Sequence, residues 1–241
     1  MNFNKWCARE LPPWEMLMKR IVWLQMGTLQ GKRILDFGSG AGITANYFAR
    51  ENEVIAVEPS KEDVLTRRTD FSYQQLIGSI DVLKSLPKES FDYIICHNVL
   101  EYVDNREEII KEFDRLLKRE GRISIVKHHR PGRVMQMVVL GNEFEIAHDL
   151  LDGKDGVASR YGAIRYYEDS QIEKWCDTFR ITKTLGMRAF WDLQQQQDIH
   201  KNESWQEKMI EMEMRVCDLK PYKDIAFFHH LFLEKMLIGV C

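Results

Sequence analysis

The run Arg33-Ile34-Leu35-Asp36-Phe37-Gly38-Ser39-Gly40-Ala41-Gly42-Ile43-Thr44 constrains the fold more than any other stretch of the chain. A short apolar segment reads as a buried strand, passes through an acid into three glycines on alternate positions, and continues as a helical pattern through Phe48. Strand, tight turn and helix in that order make a nucleotide-type loop. Residues without a Cβ let the chain reverse off the strand end, let a ligand lie on the backbone, and let the helix pack close to the sheet. Asp36 changes what that ligand can be. A dinucleotide loop aims bare N–H groups at a pyrophosphate, whereas a carboxylate at the loop's mouth repels phosphate and attracts a cation. A nucleoside carrying positive charge suits it better.

A second acid follows where a ribose would lie. Val54-Ile55-Ala56-Val57-Glu58 reads as another buried strand, and Glu58 stands roughly 20 residues beyond Asp36, the spacing of a ribose-binding acid. Pro59 falls in the turn beside the ligand plane, and Ser60 reads as an N-cap with Asp63 completing a capping box. The same pattern pairs Asn98 with Glu101, Ser170 with Glu173 and Ser204 with Glu207, so a helix is expected directly after each.

With these elements in register, the chain resembles the class I S-adenosylmethionine-dependent methyltransferases. The glycine loop is similar to that family's first motif, and Val54–Ser60 to the strand after it. Ser79-Ile80-Asp81 resembles the turn whose acid binds the adenine amino group, Phe91–Glu101 the fourth-strand motif, and Leu116–Val126 the turn and fifth strand. The resemblance covers about residues 30 to 130 and speaks for the cofactor rather than the acceptor. It implies an α/β, Rossmann-like fold: a mostly parallel seven-stranded sheet, helices on both faces, and a helical insertion after the fifth strand. It also implies S-adenosyl-L-methionine as cofactor, held by Asp36, Gly38, Ser39, Gly40, Gly42, Glu58, Pro59, Ser60, Ile80, Asp81 and His97. His97 is expected at a carboxyl strand end, against the cofactor's methionine part through backbone or imidazole.

The remaining features refine this picture. At 241 residues, with 44% hydrophobic and 29% charged side chains, the chain has ample material for one α/β domain: cap helices over 1–30, then a methyltransferase domain over 31–241. A net charge of −3 argues against indiscriminate nucleic-acid binding, and DNA is not expected as a partner. No apolar run reaches the roughly 18 residues that span a bilayer, and Met1–Trp6 lacks a signal-like apolar segment, so a cytoplasmic protein is expected. Five cysteines without a Cys-x-x-Cys pair suggest reduced thiols and no metal site. Residues 14–29 carry a helical pattern behind Pro12-Pro13. It is read as a helix covering a sheet edge, with a lid over the cofactor cleft as the sharper alternative.

The acceptor side is read from local charge. Lys127, His128, His129, Arg130 and Arg133 gather at a carboxyl strand end and favour an anionic acceptor. An insertion over about residues 131–168 carries two helical patterns, and Arg160, Tyr161, Arg165, Tyr166 and Tyr167 then interleave arginine with aromatic rings, a mixture suited to stacking on a base while pairing an anion. Ile181–Leu193 reads as one strand and Ile225–Leu233 as a strand between two others, with His229 and His230 structural. Arg133–Met137, Gly141–Phe144, Gly186–Asp192 and Glu211–Cys217 are similar to the tRNA 5-carboxymethoxyuridine methyltransferases, which esterify the carboxylate on a wobble uridine. That resemblance implies tRNA as partner, with Arg188, Arg165 and Arg160 orienting the carboxylate and Tyr166 or Trp191 stacking. A small-molecule O- or N-methyltransferase with the insertion as a lid, and a non-catalytic cofactor-binding subunit, are the alternatives, and a small anionic acceptor is the alternative partner to tRNA.

Overall fold

The computed structural model describes residues 11–158 and 162–236. Helix α1 (Pro13–Met26) starts at its proline, whose fixed φ and missing N–H cost nothing in a first turn. Strand and helix then alternate through β1 (Arg33–Phe37), α2 (Ile43–Ala49), β2 (Glu53–Glu58), α3 (Lys61–Leu65), β3 (Gln74–Ile77), α4 (Ile80–Ser85), β4 (Phe91–His97), α5 (Arg106–Leu116) and β5 (Leu117–His128). The insertion consists of α6 (Arg130–Gln136), a π-helical turn over Met137–Gly141, α7 (Phe144–Leu151) and a hairpin of β6 (Gly156–Ala158) and β7 (Gly162–Ile164). The chain ends in α8 (Gln171–Trp175), β8 (Phe179–Met187), α9 (Glu203–Val216), α10 (Lys220–Lys223) and β9 (Phe228–Lys235).

Seven strands form one sheet in the order β3-β2-β1-β4-β5-β9-β8. Only β9 runs antiparallel to its neighbours, β5 and β8, so the sheet is a mostly parallel α/β sheet with the expected strand between two others. The order reverses between β1 and β4, and the crevice at their carboxyl ends is where such sheets bind ligands. Apolar residues fill both faces. Leu17, Ile21, Ile34, Phe48, Ile95, Val126 and Phe232 form the core under α1, α2 and α9; Leu35, Ile94, Phe113, Ile123, Ile172 and Phe179 form the one under α5 and α8.

Several local expectations are corrected. Helix α1 lies on a sheet face beside α9, not along an edge, because its Leu17, Ile21 and Val22 insert into the first core. Asn98 takes a left-handed φ of 55°, and a short 3-10 turn over Leu100–Tyr102 stands where a helix was expected; α5 waits until Arg106. Glu101 folds inward instead of capping, and its carboxylate accepts the His128 backbone N–H. Glu173 likewise leaves its own helix end and accepts the Ile181 N–H at 2.8 Å. Asn202, not Ser204, caps α9, its side chain accepting from Trp205 N–H at 2.9 Å while Glu207 pairs with Arg20. The strand expected to run through Leu193 stops at Met187, where Arg188 turns the chain with a φ of 61°. Residues 1–10, Arg160, Tyr161 and Cys241 lie outside the described residues.

Candidate active site

The glycine loop closes on the end of β2. Gly38 and Ser39 N–H both donate to the Val57 carbonyl, at 2.8 and 3.1 Å, and Gly42 N–H donates to Ser39 O at 3.0 Å. Gly38, Gly40 and Gly42 all have positive φ, of 74°, 53° and 68°. Their surroundings differ. A Cβ on Gly38 would stand 2.2 Å from a Val99 methyl, whereas one on Gly40 would meet nothing within 4 Å. Packing therefore demands the first glycine, and open space borders the second. Glu58 accepts the Gly40 and Ser60 N–H groups, each at 2.8 Å, one on each carboxylate oxygen. Each oxygen keeps a lone pair, which suits two adjacent ribose hydroxyls. Ser60 caps α3 as expected, accepting from Asp63 N–H at 3.2 Å, with Pro59 exposed in the turn.

Asp36 sits at the loop's mouth, 3% exposed, and its Oδ2 has no hydrogen-bond partner. Burial pushes its pKa up to about 6; the Lys19 ammonium and the Ala45 backbone N–H oppose that rise, and Glu58 adds to it. Lys19, on α1, donates to Thr44 Oγ1 at 3.1 Å. A cation and an unsatisfied carboxylate at one mouth match the two charged ends of an amino acid. Sequence reasoning missed Lys19, although a lysine between the apolar runs Met16–Met18 and Ile21–Trp23 was the available signal. At the far end of the crevice Asp81 is exposed, and the Ser79 N–H, at 2.8 Å, holds its carboxyl below the usual range; Ile80 is half-buried beside it. His97 ends β4 with its Nε2 on Ser124 Oγ at 2.7 Å. Asp36, Lys19, Glu58 and the space over Gly40 together fit a cationic amino-acyl nucleoside.

A second cleft, of about 610 Å³, opens farther along the same rim, where β5 and β8 end and β9 begins. Trp14, His128, Arg133, Arg188, Trp191 and Phe228 are among the residues that line it. Arg188 is buried and forms a two-pronged ion pair with Asp192, its Nε 2.8 Å from Oδ2. Its guanidinium also lies over the Phe227 and Phe228 rings, 4.7 and 5.3 Å from their centroids. Gln136 donates to Asp192 Oδ1 at 3.0 Å and accepts from Arg133. Arg133 has no carboxylate partner among the described residues, so the Arg133–Gln136–Asp192–Arg188 chain carries one surplus positive charge. Two imidazoles face the cleft uncharged: burial first, then the cations Arg133, Arg188 and Lys127, push His128 down to about 3, and burial lowers His200, which stacks on Trp191 at 4.1 Å.

The other expected acceptor residues lie elsewhere. Arg165 pairs with Asp104 and reaches Tyr102 O at 3.3 Å, outside the cleft lining. Tyr166 packs inside the insertion against Val134, Met137 and Leu150, with Arg130 over its ring at 4.7 Å. Trp191 does line the cleft.

Residues 35–125, which hold the glycine loop and the strands around it, match the model of a methyltransferase domain. The protein is an S-adenosylmethionine-dependent methyltransferase. It is similar to the ubiquinone biosynthesis O-methyltransferase of Glaesserella parasuis serovar 5, with 26% identity over 66% of this chain and 69% of that one. It is also similar to the tRNA 5-carboxymethoxyuridine methyltransferase of Escherichia coli K12, with 24% identity over 89% of this chain and 84% of that one. A solved S-adenosylmethionine-dependent methyltransferase from Archaeoglobus fulgidus shares the fold, with a TM-score of 0.60 and 15% identity over 97% of each chain. The methyltransferase thus has the α/β fold its first motif implies. No helix among the described residues is long and apolar enough to cross a membrane.

Proposed function

We propose that this methyltransferase esterifies a carboxylate on a tRNA wobble uridine. One observation carries the reading: beside the cofactor crevice stands a wide cleft lined by Arg133, Arg188 and Lys201 against the carboxylate of Asp192, a surplus of positive charge, with aromatic rings around it. Arg133 supplies a cation without a carboxylate partner among the described residues, and Trp14, exposed on the cleft wall, supplies a flat surface for a base, while Trp191 is buried under His200. The similarity to the Escherichia coli tRNA enzyme, which extends across the insertion and the C-terminal strands, supports it.

When bound, S-adenosylmethionine supplies the methyl group as an electrophile. The chain's own residues do the rest. Glu58 would take the ribose hydroxyls, Asp81 the adenine amino group, and Asp36 with Lys19 the charged amino-acid end. Arg133 holds the acceptor carboxylate, which is ionised near neutral pH and needs no base. Alignment and exclusion of water by the aromatic walls account for the rate.

A phenol or similar hydroxyl on a small molecule is the second reading, favoured by His128. This uncharged imidazole meets Tyr102 Oη at 3.0 Å and leaves its Nδ1 without a partner, an acceptor that could orient a hydroxyl and that a carboxylate would not need. Incubation with labelled cofactor, total tRNA and a pool of small phenols separates the two. Label in digested tRNA nucleosides supports the first reading, and label in the phenols alone replaces it with the second.

A further inference from the structure

A row of polar side chains runs through the otherwise apolar core under α1. His97 Nε2 lies 2.7 Å from Ser124 Oγ, Ser124 Oγ 2.6 Å from His230 Nε2, and His230 Nδ1 2.8 Å from Gln25 Oε1. Gln25 Nε2 donates to the Gly186 carbonyl at 3.1 Å. Ser124 and His230 are fully buried.

The Gly186 carbonyl fixes the direction of every proton in this row. It can only accept, so the Gln25 amide points its nitrogen there and its oxygen at His230. His230 Nδ1 must then donate, which leaves Nε2 of the neutral ring as an acceptor. Ser124 gives its one hydroxyl proton to that nitrogen, and His97 Nε2–H must donate to Ser124 Oγ. His97 is therefore held with a bare Nδ1. That atom has no partner among the described residues, and it is not among the polar atoms sealed from solvent. Burial keeps both rings uncharged: it lowers His97 well below the usual range, with His230 and Lys19 adding to the effect, and it pushes His230 down to about 3.

We infer that His97 Nδ1 is a hydrogen-bond acceptor for the ammonium group of the cofactor's amino-acid end, and that Ser124, His230 and Gln25 are positioning residues that lock its tautomer. Asp36 provides the countercharge to the same ammonium, and His97 a neutral acceptor from the β4 side of the crevice. A charged imidazole there would repel a ligand with two positive centres. Gln25 makes α1 part of the device, since its side chain ties the helix to the far end of the row.

This inference rests on the cofactor reading alone and is independent of the methyl acceptor. The test compares binding of S-adenosylhomocysteine with its analogue lacking the amino group. Deletion of the amino group is expected to weaken binding to the wild type about tenfold more than to Ser124→Ala, the worth of one hydrogen bond to a charged group; Asp36 is present in both, so its share cancels. Nitrogen-15 NMR should show the wild-type His97 protonated on Nε2, and a tautomer mixture in Ser124→Ala. Gln25→Met, which unhooks the other end of the row, is expected to act in the same direction and serves if Ser124→Ala fails to fold. An amino-group penalty unchanged in the folded variants, or a proton on Nδ1 in the wild type, would overturn the inference. Failure of the wild type to bind either compound would instead sink the cofactor assignment.

Discussion

Arg188 spends its charge on Asp192, four residues further along, in a two-pronged pair buried beneath the acceptor cleft. Arg133 reaches the same carboxylate only through Gln136. The two arginines should therefore fail differently. Arg188→Ala leaves Asp192 buried without its cation and is expected to cost about 3–5 kcal/mol of stability. Arg133→Ala is expected to leave the melting temperature nearly unchanged and to lower kcat/KM for an anionic acceptor by roughly 10–100-fold, the loss of one charged hydrogen-bond partner. Thermal unfolding and steady-state kinetics on both variants check this, and a folded, active Arg188→Ala would contradict it.

Gly38 and Gly40 share a left-handed backbone but not a neighbourhood. Gly40→Ala is expected to fold, at a cost of about 1–2 kcal/mol for the left-handed conformation, while its methyl occupies space needed by the cofactor. Gly38→Ala drives a methyl into Val99 and is expected to destabilise the loop more strongly. Calorimetric titration with S-adenosylhomocysteine, beside a melting curve, separates loss of binding from loss of fold.

Asp36 gives the cofactor affinity a pH dependence. Its carboxyl, raised to about 6 by burial, is protonated and uncharged below that value and negative above it. Affinity for the cationic cofactor is expected to rise between pH 5 and pH 7, with a midpoint near 6. Asp36→Asn is expected to bind weakly at every pH and to lose the inflection. A wild-type affinity flat across that window would contradict the assignment.

Glu101, fully buried, has a pKa pushed up to about 7, chiefly by burial; the backbone N–H of His128 and the cations Lys127 and Arg106 resist the shift. Its folded pKa exceeds its unfolded one, so between the two the native state holds the extra proton. Stability from this group is complete at low pH and falls as pH climbs toward 7, by about 3 kcal/mol at most. Glu101→Gln keeps an acceptor for His128 and removes the charge. Its melting temperature is expected to exceed the wild type's at pH 8, and by less at pH 5.

The cofactor half was legible because its signals are local. Strand, glycines, helix and terminal acid lie within Arg33–Ser60, and the backbone that binds Glu58 is the same backbone that carries those residues. The acceptor half is built from distant residues, and no short window holds it. Arg188 looked free in sequence because its partner Asp192 becomes one only after the chain turns at a left-handed φ. Lys19 reaches the crevice, and Gln25 the buried polar row behind it, from a helix that reads as plain core. Capping boxes misled for a related reason: Glu101, Glu173 and Glu207 each found a partner across the fold that outcompeted the local N–H.

The bond that joins the transferred methyl to its acceptor distinguishes a carboxylate ester from methylation of a base or ribose. After transfer of labelled methyl to tRNA, mild alkali hydrolyses a carboxylate ester and leaves methyl groups on a base or ribose in place. The label is expected to leave as methanol, and Arg133→Ala to transfer little to begin with. Label that stays on the tRNA through alkali, or never enters tRNA, would contradict the ester assignment.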